Sequence, residues 1–178
     1  MTALVVLLRG VNVGGKNKLA MADLRGWLSD AGFAQVQTYI QSGNIVLSAG
    51  AAAATVAGAV HDLIVDKAGL DVPVVVRTGE QVAAVVAANP FLARGEEAGA
   101  CHVAFGTAPA VEPDRKANLP DEAIAVGSDL FLFLPDGTAR SKLAAAVARA
   151  TDPAYTVRNW RTVTKLADLA AGGGQTGR

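Results

Sequence analysis

The chain has 178 residues, 51% of them hydrophobic and 18% charged, with 16 Lys and Arg balanced by 16 Asp and Glu. That is enough apolar mass for one domain or two small ones, and it excludes a disordered polyelectrolyte. The single cysteine, Cys101, excludes an intrachain disulfide and a Cys-rich zinc site.

Ala3–Leu8 is a nearly continuous apolar run, which predicts a central strand. A helix is expected over Met21–Ala31, where Met21, Leu24, Trp27 and Leu28 share a face, with Gly32 as its stop. Gln35–Ile40 alternates as a half-buried strand, Gln41-Ser42-Gly43-Asn44 is turn chemistry, and Ile45–Leu47 returns. A helix over Ala52–Ala68 ends at Gly69, and Val72–Arg77 is a strand whose Pro73 suits an edge. This order is βαββαβ.

Glu80–Ala88 is helical and stops at Asn89-Pro90, forming a connector. The order then repeats. Strands are expected at Cys101–Phe105, Glu122–Val126, Leu130–Leu134 and Tyr155–Arg158. A weak helix at Glu112–Asn118 and firmer ones at Ser141–Ala150 and Trp160–Ala171 complete the half. The fold class expected is α+β, a tandem of two ferredoxin-like (βαββαβ) subdomains with antiparallel sheets and a C-terminal helix. Residues 1–78 form the first subdomain, 79–99 the helical connector and 100–171 the second subdomain. A disordered tail is expected over 172–178.

No stretch approaches the roughly 18 to 20 apolar residues that cross a bilayer. The start of the chain lacks the basic region of a signal peptide. The expected setting is cytoplasmic, without a membrane partner.

Charge is unevenly spread. Arg9–Lys18 holds three cations and no acid, and Gly137–Lys165 holds six against Asp152. The two stretches sum to +8, offset by −8 elsewhere, so their meeting would create a positive face.

Gly10-Val11-Asn12-Val13-Gly14-Gly15-Lys16-Asn17 follows a strand and nearly spells the phosphate-loop pattern. Asn17 stands where that pattern needs a magnesium-binding hydroxyl, and the following helix begins late, near Met21. Two readings remain: a looser anion-binding loop using backbone N–H groups, Arg9, Lys16 and Lys18, or a structural loop in which glycines serve turns and Asn12 caps backbone groups. Ser42-Gly43-Asn44 is either a plain hairpin turn or a source of uncharged donors. The expected topology puts the end of the first strand beside the end of the third, near Ser48, so the two loops are not expected to meet.

Ser141 and Asn159 are candidate helix caps, and Trp160 is expected in the core. Arg158, at a strand end before a helix, is the better functional candidate. His61, His102 and Cys101 lack a neighbouring ligand set or a nucleophile's partners. The candidate ligand-binding residues are therefore Arg9, Asn12, Gly14, Gly15, Lys16, Lys18, Asn44, Arg140, Lys142 and Arg158. No catalytic residue, metal site or cofactor is assigned.

Residues 7–18, 38–46, 140–143 (Arg-Ser-Lys-Leu) and 156–166 together resemble the family called domain of unknown function 1697. The resemblance implies a bacterial-type cytosolic protein of two ferredoxin-like subdomains and implies no activity. The function expected from the residues is binding of a phosphate-bearing partner, a nucleotide or a nucleic acid. The alternatives are an enzyme acting on a small anionic substrate and a self-associating structural protein.

Overall fold

The computed structural model describes residues 1–172. Gly172, assigned to the tail from sequence, is the last residue of a helix, and the rest of the expected tail lies outside the described residues. The fold is mixed α+β, with two four-stranded antiparallel sheets. Close packing divides the described chain into residues 1–84 with 165–172, and Val85–Thr164.

The first unit contains β1 (Thr2–Leu8), α1 (Met21–Asp30), β2 (Ala34–Tyr39), β3 (Asn44–Ala49), α2 (Ala53–Ala68) and β4 (Val74–Thr78). Its sheet runs β2-β3-β1-β4, so β1 is central, as its unbroken apolar run requires. Residues Leu4 to Leu8 are at most 1% exposed. One sheet face, including Leu4, Val6, Leu8, Ile45 and Leu47, shares a core with Met21, Leu24 and Leu28 of α1 and Val56, Val60 and Ile64 of α2. Each such Leu or Ile contributes about 1.5–3 kcal/mol on burial. Gly69 closes α2 in the left-handed conformation at φ 65°, as its position predicts. Pro73, which has no N–H to donate, precedes the edge strand β4.

Beyond these lie α3 (Gly79–Ala87) and α4 (Pro90–Ala93), the latter capped by the Asn89 side chain. The second unit then runs through β5 (Cys101–Gly106), α5 (Arg115–Asn118), β6 (Glu122–Val126), β7 (Asp129–Phe133), α6 (Lys142–Arg149) and β8 (Tyr155–Asn159). Helix α7 (Trp160–Gly172) ends the described chain and, like α3, crosses the boundary between units. The second sheet runs β6-β7-β5-β8, the same order as the first. Ala104, Leu130, Leu132 and Leu134 pack with Leu143 and Val147 of α6.

The repeat extends to single hydrogen bonds. Arg9 N donates to Pro73 O at 3.0 Å just beyond β1, and Thr107 N donates to Ala154 O at 3.0 Å just beyond β5. Both expected caps form: Ser141 Oγ accepts from Ala144 N at 2.8 Å, and Asn159 Oδ1 accepts from Thr162 N at 2.8 Å. Trp160 is buried, as expected. Among the described residues no helix is long and apolar enough to cross a membrane.

Candidate functional site: the loop after the first strand

The loop between β1 and α1 is a miniature hairpin rather than a cradle. Gly14 and Gly15 take φ 58° and 74°, the paired left-handed backbone that a two-residue turn needs and that glycine adopts without strain. Lys16 N donates to Val13 O at 3.0 Å across this turn. One step down, Asn12 N donates to Asn17 O at 3.0 Å, and Asn17 Nδ2 donates to Gly10 O at 3.0 Å. Asn12 and Asn17 are themselves left-handed, at φ 54° and 49°, a conformation asparagine tolerates better than most residues. The residue that spoils the phosphate-loop pattern thus has a structural task, holding the loop's base. Helix α1 begins at Met21, as late as the sequence indicates.

Asn12 fixes the loop to its surroundings. Its Oδ1 accepts from Leu19 N at 2.8 Å, while Nδ2 donates to Leu19 O at 2.8 Å and to Gln41 O at 2.7 Å. The last of these bonds corrects the expectation that the loop and the β2–β3 hairpin stay apart. Strands β1 and β3 are antiparallel, with Leu7 opposite Asn44 and Thr2 opposite Ala49. The end of β1 therefore meets the beginning of β3, where the hairpin is, and not its end near Ser48.

Leu8 N donates to Gly43 O at 2.8 Å. The approach is tight enough that a Cβ on Gly43 would lie 2.7 Å from both Leu8 Cβ and Val11 Cγ2. Asn44, fully buried, donates from Nδ2 to Ser42 Oγ at 2.9 Å and Tyr39 O at 3.2 Å, so it braces the hairpin from inside.

Of the candidate residues, Arg9, Asn12, Gly14, Gly15, Lys16, Lys18 and Asn44 gather at this one end of the first sheet. Residues 12–18 are all exposed, Lys16 and Lys18 among them. A Cβ on Gly14 or Gly15 would meet nothing within 4 Å. No carboxylate occurs over residues 1–22 or 31–61, whereas the segment that reaches this end through Pro73 carries Asp71 and the first turn of α1 carries Asp23. Arg140, Lys142 and Arg158 belong to the second unit. Arg140 and Lys142 are exposed on either side of the capping Ser141. Arg158 is buried and donates from one terminal nitrogen to Thr156 Oγ1 at 2.7 Å and Val157 O at 2.9 Å. Burial pushes its guanidinium down to about 10, still charged at neutral pH.

Other polar groups stand apart from the loop. His61 contacts Asp71 at 2.8 Å and Asp62 at 3.2 Å, and these acceptors, Asp71 foremost, raise its pKa. Glu122 is gripped by Arg94 at 2.6 Å and Arg115 at 2.9 Å, and Arg94 lies 4.9 Å above the Phe91 ring. The sequence reading did not single out this cluster, because its members are far apart in the chain. Cys101 is buried and its thiol is pushed up by desolvation, which makes it inert. Among the described residues no group of three or more His, Cys, Asp or Glu could hold a metal. One groove of about 370 Å³ is lined by Thr2, Gly79 and Glu80, and one of about 430 Å³ by Asn159, Trp160 and Arg161. Neither includes a loop residue.

The family model described as "Protein of unknown function (DUF1697)" matches residues 1–129, which take in the loop and the hairpin but not Arg140, Lys142 or Arg158. Among solved structures, conserved bacterial protein SP0830 from Streptococcus pneumoniae is similar, with a TM-score of 0.73 at 20% identity over 95% of this chain and 98% of that one. At that identity the likeness bears on the fold alone. No curated protein matches the chain.

Proposed function

The chain belongs to the DUF1697 family, and from that premise we propose that it is a cytoplasmic binding protein for a phosphate-bearing partner, a nucleotide or a nucleic acid, recognised by the loop after β1. One observation carries this reading. Two segments without a carboxylate, 1–22 and 31–61, are bonded together through Asn12 and Gln41, and they present Lys16 and Lys18 on an exposed tip. Such a site offers an anion two ammonium groups with no acid within either of these two segments. Arg9 would add a third charge at the base of the loop.

Each four-stranded sheet is inferred to belong to a ferredoxin-like subdomain, over 1–78 and 100–171 with 79–99 connecting them. The reading is supported by the βαββαβ order and the shared strand orders β2-β3-β1-β4 and β6-β7-β5-β8. Two antiparallel sheets of this kind leave their end loops to carry recognition, while the strands fix where those loops project.

The test is equilibrium binding of the whole protein at low salt to a panel of nucleotides and to short oligonucleotides. Binding is expected to weaken at least about tenfold in a Lys16→Gln/Lys18→Gln variant, since each ammonium loses its contact with a phosphate. Absence of binding across the panel, or an unchanged affinity in the variant, would refute the reading.

A further inference from the structure

We infer that the partner is duplex DNA, entered in its major groove by the Val13–Lys16 hairpin; this rests on the phosphate-binding reading and narrows it. The argument starts from shape. A mononucleotide needs a concave site that wraps its base and sugar, with polar groups converging on them. The loop is the opposite, a projection whose residues 12–18 are all exposed and whose Gly14 and Gly15 have open space where a side chain would be. Two grooves, at Gly79–Glu80 and Asn159–Arg161, include no residue of the loop. Single-stranded nucleic acid is held in grooves with aromatic stacking platforms, whereas residues 9–19 contain no aromatic side chain. A projecting tip requires a partner that is itself concave.

The major groove of B-form DNA is about 12 Å wide and admits a two-stranded β-ribbon. The strands of such a ribbon lie about 4.8 Å apart. Val13 and Lys16 form a two-residue hairpin, bonded N to O at 3.0 Å, with only glycines at its tip. The tip is therefore as narrow as a polypeptide ribbon can be. Lys16 and Lys18 would meet the phosphates lining the groove. Val13, 61% exposed, offers the apolar contact that a thymine methyl group accepts.

The ribbon is also stiff before it binds. Asn12 and Asn17 lock its base with side-chain bonds to Leu19 O, Gln41 O and Gly10 O. A rigid tip loses little conformational entropy on association. Two carboxylates lie closest to the loop, and neither is within the hairpin: Asp23 stands in the first turn of α1, beyond Leu19. Asp71, two residues before the Pro73 that accepts from Arg9 N, is held by His61.

The experiment is fluorescence anisotropy with the whole protein against labelled duplex DNA, duplex RNA and single-stranded DNA of one sequence. Unlabelled mononucleotides serve as competitors, and anionic lipid vesicles form a separate arm. Duplex DNA is expected to bind at least about tenfold tighter than the single strand or the RNA duplex, whose major groove is too narrow to enter. The plot of log affinity against log salt should lose about 1.8 of its slope in Lys16→Gln/Lys18→Gln, about 0.9 per phosphate released, with the thermal midpoint unchanged. Val13→Ser should weaken duplex binding and leave the slope alone.

Equal or tighter binding of single strand, RNA duplex or mononucleotide overturns the duplex assignment and leaves the phosphate-binding reading standing. Vesicle binding without duplex binding likewise overturns the assignment. No binding to any phosphate-bearing probe, or a slope unaffected by the double variant, overturns both.

Discussion

Asn12 Nδ2 and the carbonyl oxygen of Gln41 lie 2.7 Å apart, joining two loops that are 29 residues apart in sequence. The same amide group also pairs with both the N–H and the C=O of Leu19, so all of its hydrogen-bonding directions except one acceptor lone pair are used. Replacing Asn12 with Ala removes three bonds of about 0.5–1.5 kcal/mol each and leaves a left-handed backbone that alanine resists. A loss of about 2–4 kcal/mol is expected in denaturant unfolding. Amide exchange at Leu19 should rise more than at Val6, because the loop opens locally while β1 stays paired.

Gly43 and Gly14 separate two costs that glycine hides. Both have positive φ, at 80° and 58°. Only Gly43 lacks room for a side chain, because Leu8 and Val11 stand 2.7 Å from where its Cβ would be. Gly14→Ala should therefore cost only the backbone strain, about 1 kcal/mol. Gly43→Ala adds overpacking of about 1–3 kcal/mol and pushes the hairpin off the loop. Chemical denaturation of the two variants side by side checks the ordering, and equal losses would refute it.

Much of this architecture is legible in the chain because local chemistry dictates it. The continuous run of β1 marks a central strand, Gly69 marks the end of α2, and Ser141 and Asn159 mark helix starts. The loop stands out in the chain as a candidate site for the same reason, since its glycines, asparagines and lysines are adjacent. Its meeting with the hairpin was missed although the antiparallel pairing of β1 and β3 was expected, because such a pairing sets the end of β1 beside the start of β3 and not beside its end. Residue types alone do not display the register, and that of Leu7 with Asn44 brings the two loops side by side. The ion cluster on Glu122 was illegible for a related reason: its partner Arg94 is 28 residues away, and single charged residues look alike until topology joins them.

That cluster has a defined pH dependence. The Arg94 guanidinium, followed by Arg115, holds the Glu122 carboxyl below its ordinary value. A carboxyl depressed in the folded state stabilises the protein above its unfolded pKa of 4.5, and the contribution is lost as pH falls through the folded value. Glu122→Gln is expected to lose about 1 kcal/mol at neutral pH, the modest size following from the exposure of both arginines. Wild type and variant should converge in thermal midpoint as the pH drops below the folded value, and a difference independent of pH would exclude the ion pair as the cause.

His61 provides the opposite sign in the other unit. Its Nε2 lies 2.8 Å from Asp71 Oδ1 and its Nδ1 3.2 Å from Asp62 Oδ1, tying α2 to the segment that leads into β4. Asp71 is the larger cause and Asp62 the smaller, and both raise the imidazole above its ordinary 6.5. A histidine raised in the folded state contributes its full stabilisation below 6.5, and that contribution disappears as pH rises through the folded value. The pairs are exposed, so the effect on global unfolding is small and the titration itself is the sharper readout. In an NMR titration of the His61 ring, the midpoint should lie above 6.5 in the wild type, fall most in Asp71→Asn and fall less in Asp62→Asn. A midpoint that moves more with Asp62 than with Asp71 would reverse the assignment of the dominant partner.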